Sequence, residues 1–203
     1  VKKLKKINAL PKSGNEVLTD NGMATNYILL DFWRWSVSDI LSNATRGRFA
    51  EFIVGTAIGL KPEKPRDEWG AFDLTTEDGI TIEVKSAAYI QSWSQDKFSN
   101  ITFSIKPARH WNPDTNRYSG EPKRHADLYV FCLLKHKDQE TIDALKMEQW
   151  EFYVIPTYRI ENFSKSQGRI GISSLKKLGN VSRYKELKNK IHKAYREQKL
   201  HAH

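Results

Sequence analysis

The apolar positions change period several times along the chain, and each change predicts an element. From Tyr27 to Leu41 the residues Ile28, Leu29, Leu30, Phe32, Trp33, Trp35, Val37, Ile40 and Leu41 follow helical spacing, which predicts a buried helix whose Trp side chains belong to the core. A second helix is expected from about Thr45 to Gly59, with Asn43 or Thr45 as its cap and a glycine at its end. Ile80, Ile82 and Val84 then alternate with Thr81, Glu83 and Lys85, and Ile101, Phe103 and Ile105 alternate with Thr102, Ser104 and Lys106. Both stretches read as half-buried strands. The runs 126–134 and 150–155 are nearly continuous in apolar residues, as central strands covered on both faces would be. A short helical turn near 141–147 joins them. Ser173 or Ser174 is expected to cap a brief helix ended by Gly179, and Ser182 to cap a last helix over 182–200, with Tyr184, Leu187, Ile191 and Tyr195 on one face. The sum is an α/β fold, a central mixed β-sheet flanked by helices on both sides, in a single domain over 1–203.

Three stretches lack a sustained period. Residues 1–26 read as a basic arm with at most short strands or turns, and 61–70 as a charged, proline-punctuated connector facing solvent. Residues 106–125 form a loop without regular structure that mixes Lys106, Arg109, Arg117, Lys123 and Arg124 with His110, Trp111, Tyr118 and His125. A loop that long is usually functional, and cations interleaved with aromatics suit phosphate contact and base stacking.

Charge sharpens this picture. The net charge is +9, yet residues 1–12 hold five lysines and no acid, and residues 176–203 hold nine Lys or Arg against Glu186 and Glu197. The middle of the chain is therefore mildly acidic. Basic ends around an acidic body suit a protein that grips a polyanion at its periphery and keeps carboxylates for a metal inside. No apolar run reaches the roughly 18 residues of a membrane span. The single cysteine, Cys132, lies in an apolar run, which excludes a disulfide framework and fits a buried thiol in a reducing cytoplasm.

The chemistry concentrates between Asp73 and Lys85. A two-residue loop at Asp78-Gly79 would set Asp73 opposite Val84, on the oily face. A three-residue loop, Glu77-Asp78-Gly79, pairs Thr76 with Ile80 and sets Asp73 opposite Glu83, with Cβ atoms about 5 Å apart. Gly79 then stands where a left-handed residue is wanted. Two carboxylates side by side repel unless a cation lies between them, and hard divalent ions take such oxygen ligands. Lys85, on the same face, adds an ammonium able to orient water or offset charge on a phosphate. Glu51 is a further carboxylate among apolar neighbours on the second helix, which requires a metal, a proton or a cationic partner such as Arg46 or Arg48.

Asp73, nine intervening residues and then Glu83-Val84-Lys85 resemble the PD-(D/E)xK signature of the restriction-endonuclease-like nuclease superfamily, with Phe72 in place of the proline. Glu51 matches the acidic residue of the helix that precedes those strands in the superfamily, and Gln91 matches a glutamine that follows the lysine in several of its branches. The resemblance spans roughly residues 45–155. It implies a restriction-endonuclease-like core and a Mg²⁺-dependent endonuclease of restriction or DNA-repair type, with Mn²⁺ as substitute, that leaves 5′-phosphates. In that reading Asp73, Glu83, the Val84 carbonyl and Glu51 hold metal, and Lys85 positions the attacking water. Arg46, Arg48, Gln91, Arg109, Arg117, Lys123, Arg124, Lys185 and Lys188 are the expected DNA contacts. A homodimer would explain cutting of both strands, although no stretch announces a self-complementary interface. The alternative is a catalytically silent nucleic-acid-binding protein of the same fold, for which a carboxylate site would be unnecessary.

Overall fold

The computed structural model describes residues 4–61, 63–118, 120–163 and 166–201. Lys2 and Lys3 of the basic arm lie outside them. In chain order the elements are β1 (Val17–Asp20), β2 (Met23–Ile28), α1 (Leu29–Val37), α2 (Asn43–Ile58), β3 (Leu74–Thr75), β4 (Thr81–Ala88), β5 (Thr102–Ser104), β6 (Trp111–Asn112), β7 (Arg117–Tyr118), β8 (Leu128–Leu134), β9 (Trp150–Pro156), α3 (Thr157–Phe163), β10 (Arg169–Gly171), α4 (Ile172–Leu178), β11 (Val181–Ser182) and α5 (Leu187–His201).

The central sheet runs β11-β9-β8-β4-β3. Only the β4–β8 pair is parallel, so the sheet is mixed. Every residue of β8 is buried, as its unbroken apolar run requires. Strand alternation then sorts β4 between two cores. Ile82, Val84 and Ala88 pack with Ala50, Ile53 and Val54 of α2 and with Leu187 and Ile191 of α5. Ala87, with Tyr129 and Phe131 of β8, joins Phe103 of β5, Ile160 of α3, Ile170 of β10 and Leu175 of α4 on the other face. Helices thus cover both faces, and a small β5–β10 sheet supplements the second. Cys132 is a fully buried free thiol. Among the described residues no helix is long and apolar enough to cross a membrane.

Several expectations change. Helix α1 is present but buries none of its residues, and Trp35 is 84% exposed. Helical spacing reports one apolar side, and the contacts of this helix run chiefly to β2 of the hairpin beside it. The expected turn at 141–147 is a short 3₁₀ segment at Met147–Gln149. Helix α3 and strands β10 and β11 are too short to leave a period in the sequence. The caps shift as well: Ser42 precedes α2, Gly171 precedes α4, and Arg183 precedes a 3₁₀ turn that leads into α5.

The loop over 106–125 is organised. Ala108 and Lys123 exchange two backbone hydrogen bonds of 3.0 and 3.1 Å, and beyond them β6 and β7 pair antiparallel with Trp111 edge-on to Tyr118. The segment is a two-stranded ribbon.

Candidate active site

The β3–β4 turn sets the site. Leu74 pairs with Ile82 and Thr75 with Thr81, while the Thr76 amide donates to Ile80 O at 3.0 Å and the Gly79 amide to Thr76 O at 3.0 Å. Three residues, Glu77-Asp78-Gly79, close the loop, and one step further along the register Asp73 comes opposite Glu83. Gly79 has φ +85°, a conformation that an L side chain resists although there is open space around it. Gly79→Ala should therefore destabilise the fold by about 1 kcal/mol through backbone strain alone, measured by urea denaturation.

Around this hairpin four charged side chains gather, each already held by a partner. Asp73 Oδ2 accepts a 2.7 Å hydrogen bond from the Val84 amide. Lys85 Nζ donates to Glu83 Oε1 on the same face of β4. Glu51, reaching over from α2, is gripped by both edges of the Arg66 guanidinium, Nε on Oε2 and Nη2 on Oε1, the latter at 3.1 Å. Arg66 Nη2 also lies 3.7 Å from Asp73 Oδ1. Burial pushes the Glu51 carboxyl upward, opposed by the Arg66 hydrogen bond and assisted by Asp73. Burial likewise raises Glu83, with Asp73 adding to it and Lys85 opposing it. The phenol of Tyr129, beside Glu83 across the parallel ladder, is raised by its burial first and by Glu83 second.

The partner of Glu51 is thus neither Arg46 nor Arg48. Arg66 comes from the connector over 61–70, which folds across the site instead of only facing solvent. Arg48 instead pairs with Glu68 at 3.7 Å.

Two clefts flank the carboxylates. One, of about 790 Å³, is lined by Glu51, Arg66 and Asp73 together with Lys6, Arg48 and Lys64. The other, of about 700 Å³, is lined by Glu83, Lys85 and Tyr129 with Lys106, Arg109 and Tyr118. The ribbon contributes to both, through Asn112 in the first and Tyr118 in the second. Each cleft thus pairs carboxylates with cations, an arrangement suited to a metal-assisted reaction on a phosphodiester.

Not every expected contact residue faces these clefts. Arg46 is 3% exposed: it donates to Leu41 O at 2.7 Å, Gln91 Oε1 at 2.9 Å, Asn43 Oδ1 at 2.6 Å and Ser86 Oγ at 3.3 Å. Gln91, 9% exposed, passes the network on to Ala88 O and Ser99 Oγ. Arg124 is buried as well and donates to Ile105 O at 2.9 Å. These three hold backbone and loops together from inside, because a buried guanidinium or amide must satisfy its polar atoms there. Arg109, Arg117, Lys123, Lys185 and Lys188 are exposed.

A model of the family described as bacteriophage T4 endonuclease IV matches residues 9–169, which take in the N-terminal hairpin, the lining of both clefts apart from Lys6, and all four charged site residues. The chain belongs to that family. It is thereby a member of an endonuclease family, and the matched region ends before α4 and α5. No curated protein matches the chain.

Among the described residues no three His, Cys, Asp or Glu side chains form a ready-made metal cluster. The donor set still fits a hard divalent ion. Glu51 and Asp73 supply carboxylate oxygens from two elements, and a guanidinium already stands between them as the local cation.

Proposed function

We propose that this endonuclease-family protein is a metal-dependent deoxyribonuclease of the PD-(D/E)xK kind, hydrolysing phosphodiester bonds with Mg²⁺ or Mn²⁺. The observation that carries this reading is the three-residue hairpin, whose register puts Asp73 opposite Glu83 and beside Lys85, with Glu51 reaching the same place from α2. A surface ion pair would need one acid and one base. Here Glu51 and Asp73 share Arg66 while Glu83 holds Lys85, and burial disfavours the charged forms of Glu51 and Glu83, so the site carries carboxylate oxygens that a divalent ion could take over from the resident cations.

In this reading Asp73, Glu83, Glu51 and the Val84 carbonyl hold the metal, which when bound supplies Lewis-acid stabilisation of the phosphate and a more acidic water. Lys85 orients the attacking water and offsets charge developing on the phosphate. Tyr129 walls the Glu83 side against bulk water. The ribbon with Arg109, Arg117 and Lys123 and the exposed lysines of the C-terminal region track the DNA backbone. A reducing compartment such as the cytoplasm suits the buried free thiol of Cys132. Incubation with supercoiled, linear and branched DNA in Mg²⁺, Mn²⁺ or EDTA tests the reading: metal-dependent nicking supports it, and DNA binding with no cutting on any substrate replaces it with the silent binding protein.

The C-terminal region makes a separate prediction. Leu187 and Ile191 of α5 are buried in the sheet-facing core, whereas Lys185, Lys188 and Lys193 point outward. Charge reversal at these three should weaken binding alike for all DNA sequences, and flatten the dependence on log salt by about 0.9 for each lost phosphate contact. Gel-shift titrations at several salt concentrations check this, and an unchanged slope would make α5 a purely structural helix.

A further inference from the structure

The position of Arg66 implies more than a surface ion pair. Its guanidinium grips Glu51 through two nitrogens and reaches towards Asp73, while the second oxygen of Asp73 is committed to the Val84 amide. The free sides of both carboxylates thus converge on one cation, which sits where a divalent ion would be drawn by the same oxygens. Among the described residues, the connector that carries Arg66 is tied down by ion pairs at the surface, Lys6 with Asp67 at 3.3 Å and Arg48 with Glu68 at 3.7 Å. Such pairs contribute little individually, so the connector can be shifted at small expense. Its inner side lines the larger cleft, which leaves room for a displaced arginine.

We propose that Arg66 is the resident counter-ion of the carboxylate site, competing directly with the divalent metal for Glu51 and Asp73 and leaving them when metal enters. The arginine keeps the acids from repelling one another in the metal-free protein and sets the metal concentration at which the site fills. This rests on the metal-dependent reading above. It also goes beyond that reading, because a metal site could equally have been held open by water or by backbone donors.

Calorimetric titration of the full chain with Mn²⁺, without DNA, tests it on wild type, Arg66→Ala and Arg66→Lys. Loss of a two-pronged competitor should tighten Mn²⁺ binding by about tenfold in Arg66→Ala. Arg66→Lys keeps the charge but not the fork, so it should fall between the two. It also serves if the alanine variant does not fold. The Mn²⁺ concentration for half-maximal cleavage should fall in the same order. Equal or weaker Mn²⁺ binding in both variants overturns the counter-ion role while leaving the metal site standing. Absence of Mn²⁺ binding in all three proteins, with DNA cut equally in EDTA, overturns the metal-dependent reading and this inference with it.

Discussion

Lys85→Ala should slow Mg²⁺-dependent DNA cleavage by about 100-fold or more, on the order of 2.7 kcal/mol of lost transition-state stabilisation, as removal of one electrostatic stabiliser does elsewhere. DNA affinity should change far less. The chain carries 33 Lys and Arg residues, and the loss of one removes at most about one phosphate contact. The ammonium is not a fold determinant either, since it pairs with Glu83 on the same strand and both side chains remain partly exposed. Parallel gel-shift and single-turnover measurements separate the two effects. A variant that binds normally and cuts at the wild-type rate removes Lys85 from the chemistry.

Arg46→Ala is expected to act in the opposite way, on stability rather than on turnover. The guanidinium links α2, the preceding loop, β4 and the segment after β4 through Asn43, Leu41, Ser86 and Gln91. Truncation would leave Gln91 Oε1 and the Leu41 carbonyl without this donor and would open a void under α2, together about 2–4 kcal/mol. Urea denaturation checks it. A loss of less than about 0.5 kcal/mol accompanied by weakened DNA binding would return Arg46 to the surface role that its charge suggests.

The difference between these two cations explains what was legible in the sequence. The hairpin could be read because strand parity has two outcomes, and only one of them puts Asp73 with Glu83; the Thr76–Ile80 closure follows that outcome. Central strands β8 and β9 were equally legible, since nearly continuous apolar runs need cover on both faces. Side-chain direction on a helix was not legible in the same way. Arg46 and Arg48 are two residues apart on α2, about 200° around the axis, so one enters the protein and the other pairs at the surface with Glu68. Nothing in composition says which. The partnership of Arg66 with Glu51 is tertiary, formed where the connector folds back, and charge counting along the chain does not see it. Helix α1 shows the converse limit: its apolar spacing is real, but it lies beside the small β1–β2 hairpin, and Phe32 and Trp35 remain exposed. The ribbon over 106–125 was hidden because β6 and β7 contribute only two residues each, too few for any period.

The central claim is that the carboxylates around the β3–β4 hairpin form a metal-dependent phosphodiesterase centre. Its most direct test is the nicking rate of supercoiled DNA by wild type and Asp73→Asn across a Mg²⁺ titration beginning in EDTA, with binding to the same DNA followed alongside. Asn keeps an oxygen for the Val84 amide and removes the charge, so the hairpin should persist. The account predicts no cutting in EDTA, a rate that saturates with Mg²⁺ in the wild type, and a loss of about 100-fold or more in Asp73→Asn at unchanged DNA affinity. Equal cutting in EDTA, or an Asp73→Asn variant as fast as wild type at every Mg²⁺ concentration, would contradict it.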